Sequence, residues 1–473
     1  MPWLTRITSK RELMIILLSY TPMYPTHKDF WFLPLGGCGE IGMNLNLYAH
    51  AGSWLMVDCG VTFEKTTNNS ATGNRIEMAD PRFIVNRAES LVGLIATHAH
   101  EDHIGAIAHL WDQLRCPIYT TEFTRNVLLR KFSEKRVEAP IITVSEGQEL
   151  ELAPFRVHWL PITHSTPETN ALLISTKVGS AFHTADWKLD SAPIVGDAIQ
   201  PTQFQALADH GIDAMICDST NATKNGRSWS ESELFENLLR IVQQSPGRVV
   251  VSCFASNIAR MQTLGNVAQV AGRYLGLLGR SMHNMVDCAR AAGYLTENFN
   301  VVNIDDFGYL PPQEMLVIAT GSQGEETAAL SQLASDTHPK INLSAGDSVV
   351  FSAMAIPGNE QKVDGLIRSF EARNIKVTHA DESPVPLHAS GHPCAEELAD
   401  LYSWVQPRLS IPVHGEDRHM QTNAAIARDC GVPHQLVGKN GDLFDLLQIR
   451  RRADAAVTGR LWLDEEDNTL RPC

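Results

Sequence analysis

Ten residues constrain this chain more than any others: THAHEDHIGA, from Thr97 to Ala106. They follow an apolar run, LVGLIA, and lead into IGAIAHLWDQL, whose apolar positions recur at helical spacing. His98 and His100 lie two apart, so in an extended run they share a face and can grip one ion. A turn then lets Asp102 and His103 face a second ion close by. Imidazole and carboxylate together suit zinc or manganese. A solvated polar loop is the plainer alternative, but it fits poorly between a buried strand and an apolar helix.

Two adjacent ions need a bridging ligand and further imidazoles. His164 in LPITHSTPE, Asp186 in FHTADWKLD and His414 in SIPVHGEDRH each close a strand-like run. Any one of them alone reads as an ordinary polar strand end. Together they complete a set of six or seven donors, all at strand C-terminal ends. His183, in the same hairpin as Asp186, reads as structural. GCGEIG matches GxGxxG through Gly37, Gly39 and Gly42, but a dinucleotide site needs a helix after the third glycine. Here MNLNLYAH alternates as a strand does, so these glycines are read as a tight turn beside the metal loop.

The chain has 473 residues, 44% of them hydrophobic, enough for a large core and more than one domain. A formal net charge of -15 excludes a broad basic face, so any grip on nucleic acid must be local. Candidates are Arg125, Arg130, Lys131, Lys135 and Arg136 of TRNVLLRKFSEKR, with Arg260, Arg273 and Arg280 further on. For each of them a solvated helix face is the plainer reading. Nine scattered cysteines without a CxxC pair indicate reduced thiols and a cytoplasmic setting. No apolar run approaches a bilayer span, so no membrane partner is expected. The N-terminal MIILLS is too short for a secretory h-region.

DFWFLPLGG, NLNLYAH, SWLMVDCG, FRVHWLPIT and ALLISTKVGSAFHTAD read as strands, the last as a hairpin turning at KVGS. With a few helices between them, they suggest an α/β sandwich. The texture changes from about Phe204. SESELFENLLRIVQQ reads as a helix opened by a capping box, Ser230 with Glu233. Helices then dominate to about Leu295, apart from the buried strand GRVVVSCFAS. MLVIATGSQG, DSVVFSAMAIPG and IKVTHADE alternate with helices, which implies a second domain with a parallel sheet. From PRLSIPVHGED the chain returns to strand, loop and helix.

HAHEDH, THST, HTADWKLD and PVHGE resemble the metal motifs of the metallo-β-lactamase fold in its nucleic-acid-processing branch, the β-CASP hydrolases. GGCGEIGMN, CDSTNA, FASNIARMQ, ATGSQGE, FSAMAIPGNE and HASGH resemble, in order, segments of one family within that branch, ribonuclease J. The resemblance covers roughly residues 30 to 450. It implies an αββα sandwich carrying an inserted parallel-sheet α/β domain. The expected divisions are an N-terminal extension over 1–28, the first part of the sandwich over 29–205, the insert over 206–385, the return of the sandwich over 386–450, and a tail over 451–473. GRLWLDEEDN resembles the linker to a C-terminal domain of the family, and the expectation is self-association weaker than in the full-length family or through another surface, with a homodimer as its form. Two residues depart from the family pattern: Ala185, where a glycine is usual before the aspartate, and Glu168, where an aspartate is usual.

The resemblance also implies roles. His98, His100 and His164 would hold one ion, and Asp102, His103 and His414 the other, with Asp186 bridging. Asp218 and His392 would stand near the scissile phosphate. Ser256 and Asn257, with His388, Ala389, Ser390, Gly391 and His392, would cradle the phosphate and the 5' end of RNA. On its own, HASGH reads equally well as a simple turn or as an anion pocket. The expectation is a two-metal ribonuclease, 5'-to-3' exonucleolytic with endonucleolytic cleavage as a second mode. Its two divalent ions would be zinc(II) first, with manganese(II) or magnesium(II) as alternatives. RNA with a 5'-monophosphate is the expected partner. Asp102 would orient or deprotonate the attacking water, and His392, paired with Asp218, would protonate the leaving 3' oxygen. A small-molecule hydrolase of the same fold, cutting esters, lactones or phosphotriesters, is the alternative.

Overall fold

The computed structural model describes residues 23–65, 74–295, 299–356, 358–464 and 467–473. MIILLS, with most of the N-terminal extension, lies outside them. The last part of that extension docks on the turn between the second and third strands, where Pro25 and Thr26 accept the N–H groups of Gly52 and Ala51.

Two sheets form the sandwich. The eight-stranded sheet runs Arg450–Arg452, Leu443–Asp445, Trp31–Gly36, Leu45–His50, Ser53–Val57, Leu91–Ile95, Ile118–Thr120, Ile141–Thr143. The seven-stranded sheet runs His434–Gln435, Leu409–Val413, Ala214–Asp218, Ser180–His183, Asn170–Ser175, Phe155–Pro161, Glu149–Leu152. Alternation along the strands sorts the side chains between layers. Phe32, Tyr48, Leu55 and Val57 point between the sheets and meet Trp159, Ile174, Ile216 and Ile411. Their neighbours Leu33, Leu47 and Met56 pack under the helices Ile107–Leu114 and Glu122–Lys135. Phe182, Met215 and Cys217 pack under Pro201–His210 and Ala395–Val405. A strand covered on both faces must be apolar throughout, which is why AMIC precedes Asp218 without a polar residue. Truncating Ile216 to alanine there would cost about 2–5 kcal/mol.

The insert is built on a five-stranded sheet, all parallel: Tyr274–Leu278, Met315–Ala319, Val249–Ser252, Ser348–Phe351, Lys376–His379. Val251 faces Leu238, Val242 and Met261 on one side, and Val250 faces Leu330, Val363 and Phe370 on the other. Helices on both faces are what parallel crossovers demand. The capping box at Ser230 and Glu233 is present and opens the helical stretch Glu231–Gln244.

Three features differ from the sequence reading. Tyr274–Leu278 is a strand inside a stretch read as helical. The boundary at 206 falls too early, because Ala214–Asp218 pairs with Ser180–His183 and Leu409–Val413 in the sandwich. The segment read as a tail and linker is paired structure: Arg460–Asp464 pairs with Asn74–Ala79 and with Thr469–Pro472. Parallel pairing of Ser53–Val57 with Leu91–Ile95, and of Ser180–His183, Ala214–Asp218 and Leu409–Val413, puts the C-terminal ends of these strands on one rim.

Candidate metal centre

Leu91–Ile95 runs onto that rim and out into the histidine loop. There the N–H groups of His103 and Ile104 donate to the His100 carbonyl at 3.0 and 2.9 Å, opening the short helix Glu101–Ile104. This turn divides the motif. On one side, His98 Nε2 and His164 Nε2 approach His100 Nδ1 to 3.1 and 3.0 Å. On the other, Asp102 Oδ2 lies 3.1 Å from His414 Nε2 and 3.7 Å from His103 Nε2. Asp186 stands between the two groups. Its Oδ2 is 3.1 Å from His103 Nε2, 3.8 Å from His98 Nε2 and 4.0 Å from His164 Nε2.

The backbone is strained where these donors are aimed. Asp58, Ala185 and His414 take the left-handed conformation, with φ of 63°, 51° and 51°. Each costs of order 1–3 kcal/mol outside glycine, a cost met by the packed sheets around them. Ala185 thus pays for a conformation that glycine would adopt freely, and in doing so it turns Asp186 inward.

Electrostatics distinguish the two groups. Burial pushes His98 and His164 well below the ordinary imidazole value and His100 down to about 4, so at neutral pH all three present lone pairs to one another. Converging lone pairs call for a cation. In the second group burial opposes a proton on His103 and His414, but surrounding carboxylates, Asp186 foremost, outweigh it. They lift His103 well above its usual value and His414 to about 10. Burial also opposes charge on Asp102, Asp186 and Asp218, and their histidine neighbours override it, holding all three below the carboxylate range. The sets His98, His100, His164, Asp186 and Asp102, His103, Asp186, His414 each offer four donors within 4.8 Å of one another. Imidazole nitrogen with carboxylate oxygen suits a divalent transition metal.

A second layer fixes the rings, as metal-ligating histidines require. His103 Nδ1 lies 2.7 Å from Asp58 Oδ2, and Asp58 accepts the N–H and hydroxyl of Thr97 at 2.9 Å each. His164 Nδ1–H donates to the Gly391 carbonyl at 2.6 Å. His100 Nε2 lies 3.2 Å from Ser165 Oγ, and His414 Nδ1 lies 2.9 Å from Thr220 Oγ1. Beside the second group, His392 Nδ1 lies 2.8 Å from Asp218 Oδ2. Burial opposes a proton on His392, but Asp218 and Asp186 raise it above the ordinary value.

The chain is similar to known families over most of its length. Residues 43–250 match the metallo-beta-lactamase superfamily, 246–370 the beta-CASP domain of ribonuclease J, and 386–435 the RNA specificity domain of Zn-dependent metallo-hydrolases. A Ribonuclease J of Sinorhizobium meliloti is 39% identical over 444 residues, covering 92% of this chain and 78% of the relative. The chain belongs to the ribonuclease J family. A second member, from Mycolicibacterium smegmatis, is 38% identical, with 91% of this chain and 77% of the relative covered. One from Helicobacter pylori is 32% identical, with 92% and 63% covered. A solved Enterococcus faecalis V583 protein of unknown function shares the fold, with a TM-score of 0.60 at 15% identity over 88% of this chain and 99% of its own. Family membership together with the donor clusters makes this chain a metal-dependent hydrolase.

The residues that the ribonuclease J resemblance assigned to phosphate fall into two groups. Ala389 and Ser390 line a shallow cleft beside His164, together with Ser165, Lys188 and Asp190. Ser390 Oγ accepts the Asn221 amide at 2.7 Å. The others are partly committed to structure. Asn257 Oδ1 caps the helix Ile258–Ala271 by accepting the Arg260 N–H at 2.8 Å, next to the half-buried Ser256. Gly391 backs His164, where a Cβ would come within 2.4 Å of the ring. Burial, aided by the Arg260 charge, pushes His388 down to about 3, so its ring is neutral.

Several of the basic candidates are already engaged. Arg260 is wholly buried and paired with Glu231 at 2.5 Å, so it cannot meet RNA. Arg273 donates to the carbonyls of Val242, Ser245, Gly247 and Met315. Lys131 pairs with Glu101 at 2.5 Å, Lys135 bonds Asn468, and Arg125 and Arg130 lie near Glu122 and Glu134. Arg136 and Arg280 are exposed. His183 is structural, with Nδ1 2.9 Å from the Tyr48 hydroxyl. Gly37 and Gly42 do make the turn behind the donors: Gly37 accepts the His414 N–H at 2.6 Å, and the Gly42 N–H points at His414 Nε2. Ser165 and Thr220 are not singled out by the sequence, and Asp58 stands out there only as the acid closing the apolar run SWLMV.

Proposed function

We propose that this chain hydrolyses phosphodiester bonds in RNA, 5'-to-3' as an exonuclease, with endonucleolytic cleavage as a second mode. The observation that carries the reading is the His392–Asp218 pair, which adjoins the two proposed ligand sets and forms a third donor group with Asp186 and His414. An acid histidine held by its own buried carboxylate suits a substrate with a poor alkoxide leaving group. The relatives named Ribonuclease J support RNA as that substrate. The reading divides the chain into a metal-bearing part that runs through the Asp218 strand and resumes near residue 386, and an insert between.

His98, His100 and His164 would hold one ion, Asp102, His103 and His414 the second, and Asp186 would touch both. Zinc(II) is the proposed ion, with manganese(II) or magnesium(II) as alternatives. Ions bound there would stabilise charge growing on the phosphoryl oxygens and acidify the attacking water. Asp102, with 29% of its side chain exposed, faces the open side and orients or accepts that water's proton. His392 delivers its proton to the departing 3' oxygen, and Asp218 steadies the ring as it does so. The polar cleft at Ser390 would take a 5'-monophosphate. The proposed setting is the cytoplasm, and the proposed assembly is a homodimer. No helix among the described residues is long and apolar enough to cross a membrane.

The test is incubation of the purified chain with labelled RNA bearing a 5'-monophosphate or a 5'-triphosphate, with divalent metals varied. Metal-dependent release of nucleotides from the 5' end, faster on the monophosphate, is expected. Rapid hydrolysis of esters or lactones with RNA left intact would overturn the reading.

A further inference from the structure

Three cations act on His388 from around the HASGH loop: Arg260, Lys224 and Lys188. Two of them are spent. Arg260 is buried against Glu231 at 2.5 Å and Lys188 against Asp190 at 2.9 Å. Lys224 is different. It is exposed, and among the described residues no carboxylate comes within ion-pair distance of it. Its Nζ approaches Met354 Sδ at 4.0 Å.

The backbone holds this free ammonium at the seam between sandwich and insert. The Lys224 N–H donates to the Asn221 carbonyl at 2.8 Å, and the Lys224 carbonyl accepts the Ala395 N–H at 2.9 Å. Asn221 in turn donates to Ser390 Oγ and to the His392 carbonyl, so Lys224 is tied to the loop that carries His392. Across the seam, the Met354–Ile356 stretch of the insert is clamped by Gln323, which bonds the Met354 carbonyl and the Ile356 N–H at 2.9 and 2.7 Å. Met354 and Ile356 remain 37% and 47% exposed. A cation with no carboxylate partner is a point where a backbone phosphate of single-stranded nucleic acid can be neutralised. In a chain of net charge -15, a cation left free beside the catalytic loop is the local grip that the sequence demanded.

We propose that Lys224 is a substrate-binding residue that takes a backbone phosphate of the RNA where the strand crosses this seam. The assignment rests on the ribonuclease reading above. It is tested by the affinity of the full chain for a 5'-monophosphorylated single-stranded RNA over rising salt, with His392→Ala present throughout to prevent turnover. Adding Lys224→Ala is expected to weaken binding about five- to tenfold at low salt. It should also make the slope of log affinity against log salt shallower by about 0.7, the loss of one phosphate contact on a single strand. Lys224→Gln should behave like Lys224→Ala, and Lys224→Arg should keep both the affinity and the slope. An unchanged slope in Lys224→Ala, or a loss that Lys224→Arg does not restore, would overturn the assignment. A parent chain that neither binds nor cuts RNA overturns the ribonuclease reading as well. A parent that does both while Lys224→Ala binds as tightly overturns this assignment alone.

Discussion

His392 Nδ1 lies 2.8 Å from Asp218 Oδ2, and the two come from opposite sides of the insert, 174 residues apart in sequence. Asp218 ends a buried strand with its side chain fully covered, while the His392 side chain is 21% exposed. The carboxylate therefore holds the inner face of the ring and leaves the outer nitrogen for substrate. His392→Ala should keep its metals, because neither proposed ligand set uses the side chain, although it joins Asp186, Asp218 and His414 in a third group of four donors. It should lose roughly 10²- to 10⁴-fold in the rate of RNA cleavage. Asp218→Asn removes a charge that raises the His392 value, so the alkaline limb of its pH–rate profile should move to lower pH. Parent-like rates in His392→Ala, measured with metal content checked, would remove His392 from the reaction.

The two donor groups should take up metal with different pH dependence. Burial holds His98 and His164 well below the ordinary imidazole value and His100 at about 4, so an ion entering there displaces no proton at neutral pH. His414 holds its proton up to about pH 10, and His103 is also raised well above its usual value. An ion entering the second group must displace both, so affinity there should climb with pH through the neutral range. In the metal-free protein the same raised value stabilises the fold. That contribution is full below the ordinary imidazole value and lost as pH rises through about 10. Calorimetric titration of metal-free protein at pH 7, in buffers of different ionisation heat, should show one ion binding without proton release and another releasing about two protons. Equal release by both would contradict the assignment.

Asp58 should matter to metal without touching it. Its Oδ2 is 2.7 Å from His103 Nδ1, and Thr97 holds the carboxylate in place. Such outer partners typically govern metal affinity by about 10- to 100-fold. Asp58→Asn should therefore weaken one metal equivalent by that factor and leave the other nearly unchanged, read by competition with a chromophoric chelator. A loss shared equally by both ions would mean that Asp58 acts on the whole rim.

The clustering of these histidines and aspartates was legible in the sequence because strand ends concentrate them in short runs. The capping box at Ser230 and Glu233 was legible because its partners are three residues apart. What stayed hidden depends on distant partners. Tyr274–Leu278 carries Gly276 at its centre, which breaks any strand-like pattern. The glycine is there because a Cβ would meet the Phe307 ring at 1.8 Å. The early boundary at 206 has the same origin, since the strand that ends on Asp218 finds its neighbour Leu409–Val413 only after the insert has closed. Arg260 looked like a surface cation because nothing nearby in sequence announces Glu231 as its partner.

That buried pair yields the last prediction. Arg260 donates through Nε and Nη2 to the two oxygens of Glu231 at 2.5 and 3.1 Å. Its Nη1 donates to Ser352 Oγ at 2.6 Å and to the Leu387 carbonyl at 3.4 Å. One side chain thus ties a helix start, the end of an insert strand and the residue just before HASGH. Arg260→Ala would leave Glu231, 6% exposed, as an uncompensated buried charge, which costs about 3–5 kcal/mol. Replacing both partners with apolar residues of similar size, Arg260→Met with Glu231→Leu, removes the charge along with its partner and should recover most of that loss. Urea unfolding at saturating metal would give both numbers from the shift in midpoint. If Arg260→Ala stayed within about 1 kcal/mol of the parent, the pair would not be what secures the return of the chain to the metal centre. If the double variant failed to recover, the bonds to Ser352 and Leu387, rather than the ion pair, would be the part that holds.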